Sequence, residues 1–109
     1  MDPIAVRAVA EAASFMAENP VHVEREVTIV NSQGLHARPV MRFVDLAGQY
    51  QSVVRVTKGT ISVDGKSPME MMLLEATPGT QLMLIADGPD AANLIEALAK
   101  LVAEKFNEE

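Results

Sequence analysis

The stretch EVTIVNSQGLHARPVMRFVDLAG, residues 26–48, changes its apolar period in mid-course, and that change decides the fold. Val27-Thr28-Ile29 alternates apolar and polar side chains, as a half-buried strand does. Asn31-Ser32-Gln33-Gly34 breaks the strand. From Ala37 to Ala47 the apolar residues recur at helical spacing, with Val40, Met41, Val44 and Leu46 or Ala47 facing inward, and Gly48 marks the helix end. The unit is strand, tight turn, helix.

Downstream the same alternation repeats with different lengths. Val54 and Val56 alternate with Arg55 and Thr57, Lys58-Gly59-Thr60 reads as a hairpin turn, and Ile61 and Val63 form the return strand, stopped at Asp64-Gly65. A short helix is expected from Ser67-Pro68 to about Ala76, closed by Thr77-Pro78-Gly79. Leu82 to Ala86 is the most apolar strand and belongs in the middle of a sheet. Asp87-Gly88-Pro89-Asp90 then turns the chain into a final helix, on which Leu94, Ile95, Leu98, Leu101, Val102 and Phe106 make one continuous stripe. The order β-α-β-β-α-β-α is that of an α+β domain with helices covering one face of an open sheet.

Upstream, the pattern differs. Asp2 and Pro3 suit an N-cap and first turn, and Ile4 to Glu18 is alanine-rich with Val6, Val9, Ala13 and Met16 at helical spacing. Asn19-Pro20 stops that helix, and Val21 to Arg25 reads as a linker. The expected division is therefore a helical extension with its linker at 1–25 and a folded domain at 26–109. Met16 is an alternative start for the chain.

Composition narrows the function. With 109 residues, one core is expected rather than two. There is no cysteine, which removes disulfides, thiol nucleophiles and thiolate zinc sites and fits a reducing compartment. A net charge of −6 disfavours tracking along nucleic-acid phosphates. No apolar run is long enough to span a bilayer, and no secretory signal pattern opens the chain. A cytoplasmic location is expected. Two distant histidines, His22 and His36, offer no metal-ligand spacing, and no phosphate-cradling glycine loop for a nucleotide is present, so neither metal nor cofactor is expected.

The chemistry gathers at Gly34-Leu35-His36-Ala37-Arg38-Pro39. Gly34 lets the backbone turn sharply, and His36 falls at the helix start, where backbone N–H groups lack acceptors. Pro39 has no N–H to leave unpaired in the first turn. Free amides and the helix dipole favour an anion there. An imidazole held at that point, with an arginine two residues on, is suited to accept a phosphoryl group and have its charge matched. A packing or capping role for His36 would have to explain this whole cluster. His22, beside Pro20 in a polar linker, is read as structural. Arg42, four residues beyond Arg38, either extends the positive patch or lies on a solvated helix face.

A second cluster, Gly65-Lys66-Ser67-Pro68-Met69-Glu70, has Ser67 as N-cap, Pro68 at the first helical position and Glu70 completing a capping box. Met69, Met71 and Met72 follow, and methionines at such spacing usually fill a core.

Residues 34–39 resemble the active-site signature of the HPr family, the histidine-containing phosphocarriers of the phosphoenolpyruvate-dependent phosphotransferase system. The likeness runs from about Glu26 to Phe106, and it implies an open-faced β-sandwich: a four-stranded antiparallel sheet with three helices on one face. It also implies that His36 is phosphorylated on Nδ1 by enzyme I and passes the group to a IIA-type protein or domain, with Arg38 assisting. The covalent phosphohistidine would be an intermediate of a stoichiometric carrier rather than of a turnover enzyme. Ser67 matches the regulatory serine that HPr kinase/phosphorylase modifies where that enzyme exists. Leu35, Met41, Met69 and Met72 match the partner-docking surface, on which re-packable side chains suit several partners. Asp45 and Glu70 stand where enteric members carry lysines, so this surface is less basic than theirs. No nucleic-acid or membrane partner is implied, and the free chain is expected to be monomeric. The alternative is a regulatory HPr-like module that controls kinases or transcription factors without feeding sugar transport.

Overall fold

The computed structural model describes residues 22–108; the expected helix from Ile4 to Glu18 lies outside them. Four strands, β1 (His22–Thr28), β2 (Val53–Lys58), β3 (Ile61–Asp64) and β4 (Gln81–Asp87), form one sheet in the order β1-β4-β2-β3. Every neighbouring pair is antiparallel, with Val27 opposite Leu82, Val56 opposite Leu84 and Val56 opposite Val63. The helices are α1 (Ala37–Ala47), α2 (Pro68–Met72) and α3 (Ala91–Ala103). This is the open-faced sandwich that the resemblance implies, with β4 inside the sheet as its apolar run predicts.

Strand alternation sets the layers. Val27, Val54, Val56, Val63, Leu82, Leu84 and Ala86 are buried on the helix-facing side, while Glu24, Arg55 and Ser62 are exposed on the other. The α3 stripe Leu94, Ile95, Leu98, Leu101 and Val102 closes over the sheet. Each such side chain, once fully buried, contributes roughly 1.5–3 kcal/mol.

The inward face of α1 differs from expectation. Pro39, Val40, Phe43 and Ala47 are its buried residues, Val44 and Leu46 are partly buried, and Met41 is 45% exposed. Val40, Phe43 and Ala47 stand at i, i+3 and i+7, and this series sets the buried face. Gly48 ends the helix in right-handed geometry with φ −65°, so it is not a left-handed cap. Helix α2 is shorter than expected, ending at Met72 instead of near Ala76, and Glu75 turns through φ +46° on the way to β4. Only half of the capping box forms. Ser67 Oγ accepts from the Glu70 amide at 3.2 Å, but the Glu70 carboxylate turns away to accept from the Asp64 amide, also at 3.2 Å.

β1 begins at His22, so residues expected to be a linker are paired with β4, from His22 opposite Asp87 onward. Nδ1 of His22 lies 2.6 Å from Asp87 Oδ1 and Nε2 lies 3.3 Å from Glu24 Oε2. These two carboxylates, Asp87 above all, hold the imidazole pKa above its ordinary value.

The chain end gives the largest departure. The apolar stripe suggested that α3 carries Phe106, yet α3 stops at Ala103. Lys105, Phe106 and Asn107 then run through left-handed geometry, with φ of 58°, 56° and 60°. Such geometry costs roughly 1–2 kcal/mol per non-glycine residue. Two contacts offset it: Phe106 is completely buried, and Arg42 Nη1 donates to the Phe106 carbonyl. Arg42 is therefore committed to the chain end rather than to a positive patch beside Arg38.

Candidate phosphoacceptor site at the start of α1

The connection from β1 to α1 is shaped by hydrogen bonds across the fold. Leu35 N donates to the Ala76 carbonyl at 2.8 Å, which ties the loop to the segment between α2 and β4. Gly34 sits at φ +68°, and a Cβ built there would stand 2.5 Å from that same carbonyl oxygen. Both facts require glycine. Asn31, fully buried, donates from Nδ2 to the Gly34 carbonyl at 2.8 Å and so closes the loop from inside.

This loop delivers His36 to the N-cap of α1 in extended geometry, with φ −91° and ψ −169°. Its carbonyl accepts from Val40 N at 3.1 Å, so the backbone starts the helix while the side chain makes no cap bond. The amides of Ala37 and Arg38 lie in the first turn, which has no intrahelical acceptors for them, and Pro39 contributes none. Arg38 is exposed, and among the described residues its guanidinium has neither hydrogen bond nor ion pair. A shallow depression of about 320 Å³ is lined by Ser32, Gln33, His36, Arg38 and Glu108. One imidazole, one uncommitted cation and free amides at a helix start can receive a phosphoryl group from a protein donor.

Glu108 was not foreseen. Its Oε2 approaches His36 Nε2 to 3.2 Å, and its Oε1 lies 3.2 Å from Asn31 Nδ2. The His36 side chain is 40% exposed and that of Glu108 only 11%. Nε2 is enclosed and lacks a well-aligned hydrogen bond among the described residues, so Glu108 faces it at short range without completing one. The exposed part of the ring therefore excludes Nε2. No sequence motif joins residues 36 and 108; only the left-handed turn at 105–107 does.

The docking residues divide. Met41 on α1 is 45% exposed, and Met69 and Met72 on the adjoining α2 are 83% and 42% exposed. Leu35 is only 6% exposed and belongs to the core, because its amide anchors the loop to Ala76 and draws the side chain in. Leu73, 66% exposed and not singled out from the sequence, joins the apolar surface of this region. Ser67 sits apart from the His36 depression, half-buried at the start of α2 with its hydroxyl engaged in the cap. Among the described residues no group of His, Asp and Glu is placed to hold a metal ion, and no helix is long and apolar enough to cross a membrane.

These features have counterparts in known proteins. Residues 23–104 match the family model for the PTS HPr component phosphorylation site. The phosphocarrier protein HPr of Cupriavidus necator is 40% identical over 86 residues, covering 79% of this chain and 97% of that protein. HPr of Pseudomonas aeruginosa is 44% identical over 84 residues, covering 76% of this chain and 93% of that one. The crystal structure of HPr-C-His from Thermoanaerobacter tengcongensis superposes with a TM-score of 0.77 at 39% identity, covering 80% of this chain and 98% of its own. The strand order, the His36 helix start and these likenesses converge: the chain belongs to the HPr family of phosphotransferase-system phosphocarriers.

Proposed function

We propose that His36 is the phosphoacceptor of this carrier, loaded by phospho-enzyme I and unloaded onto a IIA-type protein or domain, with the chain working as a cytoplasmic monomer. The observation that carries this reading is the His36 N-cap itself: a part-exposed imidazole that makes no cap bond, beside an arginine that has no partner among the described residues. A neutral ring nitrogen attacks the incoming phosphorus. The bond from phosphorus to the donor breaks, and its electron pair stays with the donor. Arg38 and the first-turn amides match the charge of the transferred group. Transfer onward is the reverse step, and one exposed arginine binds the group without trapping it. The exposed apolar surface of Met41, Met69, Met72 and Leu73 would seat the partner proteins.

Ser67 is the proposed regulatory site. Phosphate on its hydroxyl would place new negative charge beside Glu70 and Asp64 on a face that docks partners, which weakens docking through repulsion.

Intact mass after incubation with phosphoenolpyruvate and enzyme I tests the main reading. One acid-labile phosphoryl group is expected, absent in His36→Ala. A folded chain that takes no label from a cognate enzyme I would overturn it in favour of a purely regulatory module.

A further inference from the structure

We infer that Glu108 is a positioning residue that assigns Nδ1 as the accepting nitrogen of His36; its role in transfer rests on the carrier reading above, while its effect on the ring does not. Residue 108 lies beyond the 23–104 match to the family model, so the assignment stands on this chain's own geometry.

Oε2 of Glu108 faces the enclosed Nε2 at 3.2 Å. A carboxylate attracts an N–H and repels a lone pair, so the neutral imidazole keeps its proton on Nε2. The lone pair is thereby left on Nδ1, the ring nitrogen that Glu108 does not face. The carboxylate is itself aimed, because Oε1 lies 3.2 Å from Nδ2 of the fully buried Asn31, and that same nitrogen donates to the Gly34 carbonyl of the site loop. Phe106 and Arg42 hold the turn that brings Glu108 there.

The charge balance of the step gives Glu108 a second effect. When the Nδ1 lone pair bonds to phosphorus and the donor departs with its electron pair, a ring that retains its Nε2 proton becomes cationic. Glu108 faces that developing charge, as the carboxylate behind a catalytic histidine does in other transfer sites. On release to the next acceptor the ring returns to neutral with its proton unmoved.

The tautomer is read directly by long-range 1H–15N correlation on the ¹⁵N-labelled full chain, at a pH where His36 is neutral. The expected wild-type state is predominantly Nε2–H. In Glu108→Gln the amide oxygen retains the Asn31 contact and the NH₂ turns towards Nε2, so the Nδ1–H form should increase severalfold. Glu108→Ala should give a mixture. An unchanged ratio in both variants, or a predominance of Nδ1–H in the wild type, overturns the assignment. Phosphoryl acceptance from phospho-enzyme I should slow by about fivefold in Glu108→Gln, the scale of a partly exposed ion pair. A shifted tautomer with an unaltered rate would also overturn the positioning role. If the wild type accepts no phosphate at all, the carrier reading fails, while the tautomer shift still tests the Glu108 contact separately.

Discussion

Helices α1 and α2 begin at His36 and Ser67, two residues able to carry a phosphate, and the two starts are built in opposite ways. The Ser67 hydroxyl accepts from the Glu70 amide and so is part of what holds α2 in place. The His36 side chain makes no cap bond, and α1 is instead secured by its buried face at Val40, Phe43 and Ala47 and by the loop bonds of Gly34 and Leu35. The third start, Asp90 of α3, takes another course: its carboxylate caps nothing in its own helix and accepts from Gln51 N, Ser52 N and Ser52 Oγ at 2.9, 2.8 and 2.5 Å. A side chain released from capping is free for chemistry or for bracing a neighbour. Where it is not released, truncating it removes the helix cap as well.

The loop that relieves His36 of structural duty is the most sensitive point. Gly34→Ala would have to adopt φ +68° and push its Cβ against the Ala76 carbonyl. Chemical denaturation should show a loss of about 2–4 kcal/mol, the range of strained or overpacked positions. A loss below half of that would mean the loop does not hold the helix start. A sharper contrast comes from truncating the two start residues. Ser67→Ala should cost about 1 kcal/mol through the lost cap and leave phosphoryl acceptance intact. His36→Ala should abolish acceptance with thermal stability nearly unchanged. Equal stability losses in the two variants would remove the distinction.

The smallest effect concerns Asp90. The Ser52 hydroxyl and then the Gln51 amide hold its carboxyl below the usual range, with the Ser52 amide adding to them. A depressed folded-state pKa means that its stabilising contribution is present above the ordinary aspartate range and is lost as pH falls through the folded value. Wild type should therefore exceed Asp90→Asn in stability near neutrality, and the gap should narrow on acidification. A gap that widens in acid would contradict the bonding seen at residues 51 and 52.

The reach of the sequence differed between these regions for a physical reason. Gly34-Leu35-His36-Ala37-Arg38-Pro39 was legible because a turn, a helix start and a cation two residues from the histidine are local properties of adjacent residues. The central position of β4 was legible from the apolar run Leu82 to Ala86. By contrast, β1 gained His22 to Arg25 only because β4 runs on to Asp87 and supplies partners, so a polar stretch became a strand. Leu35 looked exposed by analogy, yet the Ala76 carbonyl pulls its backbone inward. Phe106 kept its burial but lost its helix.

The element order, the helix starts and the cluster around His36 could be read along the chain, since each depends on residues close in sequence. What stands behind His36 depends on assembly of the whole fold. Asn31 and Glu108 are 77 positions apart, and their meeting depends on the strand order, the packing of α3 and a left-handed turn at Lys105, Phe106 and Asn107. No local propensity selects that turn. It persists because Phe106 is buried and Arg42 holds its carbonyl, contacts that exist only once the sheet and its helices have assembled.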